Sequence, residues 1–561
     1  MKTRLKPMPV GIEDFKKLVI SGYSFIDKTR FIRDLIDAQG EITLITRPRR
    51  FGKTLTLSML RYFFTLENRE DNRGIFSGLD IEKAGERYMK EQGTRPVVFL
   101  TLKDIRMNNW QDETERLALE LSNLFRNYLF LLESPALTDI ERAMFRSIWE
   151  RRGSRSEMEA ALSNLCRMLA LHYGTSPVLL LDEYDAPILA AWENGYYGEC
   201  IDFMRGFLGS VLKTNSFLGF AVLTGVTRIS KESIFSGLNN LNVCSVLTER
   251  YSDIFGFTQE EAANFMTDCG VGDRLPELKQ WYDGYLFGGT EIYNPWSVIQ
   301  FVDHGCTFQP YWLNTSGNAI LRDLLDRVDG RRQRELEGLL QGKPVEVPVM
   351  ENFIFADIRK NRDALFMLLM TTGYLKPVKR WKDAEYTEWA RLQIPNVEVR
   401  TAYRREILGN IVPSQGEILL RDMLNSMTEG DVAGFSENLS DILRDFVSYH
   451  DAARHPENFY HGLLLGLSVL MNGSYRVESN REAGYGRFDI AFFPLKENAP
   501  GVILELKAAK SEEELEPKAK EALGQIEEKA YGAELSRQGV KEIWRYGIAF
   551  CGKRVRMEGA K

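Results

Sequence analysis

Six cysteines in 561 residues, at Cys166, Cys200, Cys244, Cys269, Cys306 and Cys551, form no C-x-x-C pair. That excludes a zinc cluster of the usual spacing and fits a reducing compartment, so the expected location is cytoplasmic. No uninterrupted apolar run reaches the roughly 18 residues of a membrane span, and the opening MKTRLKPMPVGIEDF has no apolar h-region. Positive charge is not in excess either. With a net charge of −7, whole-surface affinity for nucleic acid or an anionic membrane is excluded, and any such binding needs a local basic groove. Internal repeats and low-complexity tracts are absent as well. What remains is a hydrophobic fraction of 44% and a charged fraction of 27%, the balance of a soluble globular chain. Its length calls for three or so packing units.

Short apolar runs punctuate the first half: EITLIT (41–46), PVVFLTL (96–102), PVLLLDE (177–183) and FLGFAVLTGV (217–226), separated by helical stretches such as TERLALELSNLFRNYLFLL. Continuous apolar strands alternating with helices predict an α/β fold with a parallel sheet covered on both faces. Beyond about residue 256 the pattern turns helical. DALFMLLMTT followed by a β-rich stretch at 374–400 is compatible with a small winged-helix module, and a polar helical stretch at 416–446 leads to the last unit.

RPRRFGKTLTL ends as a phosphate loop of the form G-x-x-x-x-G-K-[ST] ends, with Gly52, Lys53 and Thr54, yet Arg47 stands where the first glycine belongs. A Gly-Lys-[ST] triplet arises by chance in about one chain in four of this length, so context decides. Here a strand enters the loop and a helix leaves it, which aims backbone N–H groups and the positive helix end at a polyphosphate. The segment Arg49, Arg50, Phe51, Gly52, Lys53, Thr54 and Leu55 is the expected phosphate cradle, with Lys53 on the β- and γ-phosphates and Thr54 on Mg²⁺. Losing the first glycine removes a flexible turn and one N–H donor, for which Arg47, Arg49 and Arg50 are expected to compensate in part electrostatically. PVLLLDEYD supplies the second element, a strand ending in Asp182 for the metal and Glu183 to orient or deprotonate water. Thr224 and Arg228, at the end of the next strand, are candidates to sense the γ-phosphate. Arg228 is equally well placed to cap a helix or pair on the surface.

A second constellation lies in GRFDIAFFPLKENAPGVILELKAAK. Asp489 is expected to begin one strand of a hairpin, with Glu505 and Lys507 two apart, and so on one face, of the next. Carboxylates converging on Mg²⁺ beside a lysine are what phosphodiester cleavage needs. Glu457, four residues from His461 on a helix face, is a candidate further metal ligand and equally well a solvated acid at a helix N-terminus. Lys510, Lys518, Lys520 and Lys529 are interleaved with glutamates, which reads as a solvated face and not as a basic patch.

Taken in order, YSFIDKTRFI, RPRRFGKT, LLLDEYDAPI, LTGVTRISKESIFSGLNNL, WYDGYLFGGTEIYNPWSV and YWLNTSGN resemble the bacterial AAA-ATPase-like family that carries a C-terminal PD-(D/E)XK nuclease domain. The arginine-rich loop is the form that family uses. The resemblance implies a P-loop parallel-sheet ATPase at 1–255, a helical lid at 256–330, a middle helical or winged-helix-like region at 331–450, and a restriction-endonuclease-like α/β domain at 451–561. It implies that Lys53 and Thr54 bind phosphate and Mg²⁺, that Asp182 holds the metal, and that Glu183 is the base. It also implies that Asp27 and Lys28 help form the nucleotide pocket. Gln525 and Tyr531 resemble substrate-positioning residues found after the lysine of recombination-type nucleases. ATP, Mg²⁺ and DNA are the expected cofactors and partner, with RNA also open, no membrane, and an ATP-dependent homo-oligomer as an option in which Arg228 or Arg250 reaches a neighbour's phosphate. The alternative is a nucleotide switch whose C-terminal domain binds nucleic acid or protein without cutting it.

Overall fold

In the computed structural model the described residues are 6–228, 240–312, 335–336, 338–340, 342–350, 361–403, 417–446, 460, 464, 471, 474–483, 486–496 and 498–561. They fall into two compact units, Met1–Gly317 with Pro344–Val399, and Asn318–Lys343 with Arg400–Lys561.

The apolar runs of the first half become a parallel five-stranded sheet. Its strands are β1 (Ile42–Thr46), β2 (Val97–Thr101), β3 (Val178–Asp182), β4 (Phe220–Gly225) and β5 (Leu241–Cys244), in the order β2-β3-β4-β1-β5. Every residue of β1 and of β3 is buried, as helices on both faces require. The sequence pattern missed β5: an edge strand of four residues with its first three only half-buried carries almost no apolar signal. Because β4 lies between β3 and β1, the ends of the two motif-bearing strands flank a shared neighbour. This order positions the first site.

Past residue 256 the expected helices occur, at Gln259–Asp268, Leu275–Tyr282 and Pro295–Asp303. A small antiparallel sheet threads them, β6 (Phe257–Thr258), β7 (Tyr285–Phe287) and β8 (Thr290–Tyr293), in the order β6-β8-β7. Helix Arg362–Thr371 then precedes a hairpin of β10 (Lys376–Lys382) and β11 (Glu388–Gln393), which β9 (Val345–Pro348) extends to three strands.

The second unit is built on a mixed sheet, β12 (Tyr475–Ala483), β13 (Gly486–Pro494), β14 (Gly501–Ala508), β15 (Ile543–Cys551) and β16 (Arg554–Ala560), paired in chain order. Only the β14–β15 pair is parallel. Alternation along β14 sorts its side chains: Val502, Leu504 and Leu506 share an apolar cluster with Leu420, Met427, Phe435 and Leu439 of helices Glu417–Glu429 and Val432–Phe446. Ile503 turns the other way, toward Ile526 of helix Leu515–Glu528. Glu505 and Lys507 have the parity of Ile503 and so face that helix. The helix lies close because β15 has a glycine there: a Cβ on Gly547 would sit 2.3 Å from both Ala519 O and Leu523 N. Among the described residues no helix is long and apolar enough to cross a membrane.

Candidate active sites

β1 delivers the chain to a loop with two left-handed positions, Arg50 (φ 70°) and Gly52 (φ 81°), and helix Lys53–Phe64 follows at once. Gly52 takes this conformation without the steric cost a Cβ would bring. Arg47 is not one of the left-handed positions, so no glycine is needed where the usual pattern has its first. Its N–H is spent on the sheet, donating to Gly225 O at 3.1 Å.

The Arg47 side chain corrects the sequence expectation that it compensates at the phosphate. It is fully buried, donating from Nη1 to Thr46 O (2.8 Å) and Cys244 O (2.9 Å) and from Nη2 to Tyr251 O (3.1 Å). Its guanidinium lies over the rings of Phe255 and Phe287. Burial without an acidic partner pushes its pKa down to about 10. Arg47 is a structural pillar joining the end of β1 to the end of β5 and the segment that follows it.

Arg49, Arg50, Phe51, Gly52, Lys53, Thr54 and Leu55 all line one hollow of about 680 Å³, joined by Lys28, Arg106, Glu183 and the aromatic residues Phe25, Phe257 and Trp296. Aromatic side chains brace the loop from outside. Arg50 lies 4.2 Å from the centre of the Trp296 ring, Phe51 packs edge-on against Tyr285 at 4.9 Å, and the Trp312 indole N–H donates to Arg49 O at 3.3 Å. Lys53 Nζ donates to Arg47 O (3.0 Å) and Pro48 O (2.8 Å). Burial lowers its pKa, partly opposed by Glu183, Asp182 and Asp185.

The Thr54 hydroxyl donates to Asp182 Oδ2 at 2.7 Å, and Thr224 at the end of the intervening β4 donates to Oδ1 at 2.5 Å. Burial raises the Asp182 pKa against these bonds. The pair offers the hard oxygen donors that suit Mg²⁺. Glu183 is itself left-handed (φ 50°), an uncommon conformation for a non-glycine residue, and its carboxylate lies 3.7 Å from the Arg106 guanidinium. Sequence reading missed Arg106, because an arginine in a loop after β2 carries no motif. Asp182 and Thr224 do not line the hollow themselves, Asp182 reaching it only through Thr54, and Arg228, also outside the lining, follows β4 half-buried. Lys28 reaches the rim but is held by Glu261 at 2.6 Å. Asp27 is occupied away from it, accepting from the N–H groups of Thr29 and Asp80. Asp185, last of the DEYD run, accepts from Val226 N, Thr227 N and the Thr227 hydroxyl, so it fixes the turn after β4.

In the second unit Asp489 lies in the middle of β13, not at its start, and one step past the Ile490–Leu504 pair the register sets it opposite Glu505. Its Oδ2 accepts from Leu506 N at 2.8 Å. Glu505 is 2% exposed, and its Oε1 accepts from Lys507 Nζ at 3.2 Å and Gln525 Nε2 at 2.5 Å. Gln525 also lies 3.2 Å from the Tyr531 hydroxyl. Asp489, Glu505, Lys507, Gln525 and Tyr531 therefore meet at one place. The acids Asp489 and Glu505 are hard oxygen donors of the kind that suits a divalent cation. Burial, and then Asp489 beside it, raises the Glu505 pKa to about 7. Glu457 and His461 lie outside the described residues. Along the neighbouring helix Lys518 and Lys520 pair with Glu521 and Glu516, a solvated face.

Comparison with known proteins assigns both regions. The family model for a predicted AAA-ATPase matches residues 9–235, which hold the loop, β3 and β4. The PD-(D/E)XK nuclease superfamily model matches residues 455–559, which hold Asp489, Glu505 and Lys507. The chain is also 27% identical over 554 residues to a protein of Azotobacter chroococcum mcd 1 described as an uncharacterized protein in the vnfD 5′ region, covering 97% of this chain and 96% of that one. With its loop-bearing parallel sheet and its acid-bearing mixed sheet, the chain joins an AAA-ATPase-like domain to a C-terminal domain of the PD-(D/E)XK nuclease superfamily.

Proposed function

We propose that the protein hydrolyses ATP and cleaves DNA in a metal-dependent reaction that ATP gates, in the cytoplasm. The observation that supports this most is that each unit gathers buried acid beside a lysine: Asp182 with Thr54 and Lys53 in one, Asp489 and Glu505 with Lys507 in the other. In the second unit two acids, a lysine, a glutamine and a tyrosine converge, which is more than a module that only binds would need.

In the first unit Lys53 exchanges two backbone carbonyls for the β- and γ-phosphate oxygens, while the loop N–H groups and the helix end meet the remaining charge. Thr54 and Asp182 would hold Mg²⁺, which would neutralise the phosphate oxygens as charge moves to the leaving group. Glu183 faces the hollow to orient water and take its proton, with Arg106 setting the position of its carboxylate. Phe25, Phe257 and Trp296, which line the hollow, suit a base, and adenine follows from the family likeness. Residues 256–330 act as the lid and 331–450 as the middle region.

In the second unit Asp489 and Glu505 would hold the divalent ion, which would polarise the phosphodiester and make hydroxide available near neutral pH. Lys507 stands on the same face to meet charge developing on the phosphate, and Gln525 and Tyr531 hold Glu505 and the strand being cut.

An ATPase and nuclease assay on wild type, Lys53→Ala and Asp489→Ala tests both halves. Wild type should show both activities, Lys53→Ala should lose hydrolysis and the ATP response of cleavage, and Asp489→Ala should lose cleavage alone. If wild type with ATP and Mg²⁺ or Mn²⁺ leaves every DNA substrate intact, the nuclease reading fails.

A further inference from the structure

IPNVEVRTAY carries a glutamate, Glu398, inside a buried stretch, well outside the segments that hold the two sites. It is completely covered, as is Val399, and Ile394 is nearly so. Its Oε1 accepts the Trp312 backbone N–H at 2.7 Å, and its Oε2 lies 2.8 Å from the Ser297 hydroxyl. Those two contacts belong to the two segments that grip the phosphate loop. Ser297 follows Trp296, whose ring covers the Arg50 guanidinium, while the Trp312 indole N–H is bonded to Arg49 O. The Trp296 indole N–H closes the circuit by donating to Tyr311 O at 3.3 Å. Asn294 accepts from Trp296 N and Ser297 N, so the helix Pro295–Asp303 begins at this point with a fixed direction.

A buried carboxyl is costly unless hydrogen bonds satisfy its oxygens, and those from Trp312 N–H and Ser297 tie it to these two segments. Here it is the common anchor of both tryptophans, and the contacts run from one side chain to two neighbouring arginines of the loop. The loop itself is left-handed at Arg50 and needs outside support to hold that shape. Taking the hollow as a nucleotide site, we propose that Glu398 is a positioning residue for the nucleotide loop: through Ser297 and Trp312 it sets Trp296 and Trp312 against Arg50 and Arg49, and so fixes the cradle that receives the phosphates.

Two measurements on the full chain test this, fluorescent mant-ATP binding and hydrogen exchange of the segment 49–54 without nucleotide. Glu398→Ala should speed exchange in that segment while β3 keeps its protection, and should weaken mant-ATP by about tenfold to hundredfold, the cost of a misplaced binding group. Glu398→Gln keeps an oxygen for Trp312 N–H and an NH₂ for the Ser297 oxygen, and should restore affinity to within about threefold of wild type. Should Glu398→Ala not fold, Trp312→Phe removes the indole donor to Arg49 O while keeping the backbone N–H that Glu398 holds, and should give the same local rise in exchange. Unchanged exchange at 49–54 in a folded variant, with mant-ATP still bound as in wild type, overturns the positioning role alone. A wild type that does not bind mant-ATP sinks the nucleotide reading and this role with it.

Discussion

Replacing Arg47 with glycine would restore the usual phosphate-loop pattern, and the structure predicts that it weakens the protein. Arg47 makes three hydrogen bonds from a charged donor to backbone carbonyls. At roughly 1.5–3 kcal/mol each these sum to about 6 kcal/mol. Against them stands the cost of burying the charge: a pKa brought down from 12.5 to about 10 corresponds to about 3 kcal/mol at neutral pH. Glycine relieves that cost but leaves three carbonyls facing a hole under the Phe255 and Phe287 rings and adds about 1 kcal/mol of backbone entropy. The net loss is about 4 kcal/mol. With an unfolding entropy near 2 cal/mol/K per residue, a unit of this size should melt about 5 °C lower. Calorimetry on wild type, Arg47→Gly and Arg47→Met reads the difference. Arg47→Met should fall between the two, since it keeps the packing and loses the bonds. If Arg47→Gly melts with wild type and binds mant-ATP more tightly, the pillar role assigned to Arg47 is wrong.

Lys53→Ala should abolish mant-ATP binding and make cleavage at the second site, read on a gel, the same with and without ATP. Asp489→Asn and Lys507→Ala should each abolish phosphodiester cleavage and leave ATP hydrolysis within about twofold of wild type, since additive behaviour is expected for distant sites. Burial raises the Glu398 pKa from 4.5 to about 8, so the folded chain keeps a proton that the unfolded chain releases. The stability this proton confers is complete below pH 4.5 and is lost as pH climbs toward about 8, with a slope of up to about 1.4 kcal/mol per pH unit. Urea midpoints at several pH values should show that slope in wild type and its loss in Glu398→Gln. An equal slope in both would assign the dependence to another group.

How far the sequence could be read depended on whether a residue's job was local. β1, β3 and the loop between β1 and its helix were legible because buried parallel strands carry unbroken apolar runs and the cradle is one continuous segment. Glu505 and Lys507 were legible for the same reason, since strand alternation alone puts them side by side. β12, β15 and β16 were not among the expected strands: Arg545, Glu478 and Arg556 interrupt them, and their partners lie up to dozens of residues away. Arg47 was misjudged because no local rule tells that its guanidinium turns inward to the Cys244 and Tyr251 carbonyls. Arg106 and Glu398 act through contacts with Glu183 and with Ser297 and Trp312, far off along the chain, and single-sequence patterns do not encode such pairs.

Gly547 has a further implication for the second unit. The gap between the sheet and the helix that brings Gln525 to Glu505 is set by an atom that is missing, since Ala519 O and Leu523 N occupy the volume where any side chain would start. The distance from the glutamine to the acid is thus determined on a strand that contributes no functional group of its own. Reach in this site is governed by backbone spacing, and a single methyl group added there would lengthen it with all five converging side chains intact.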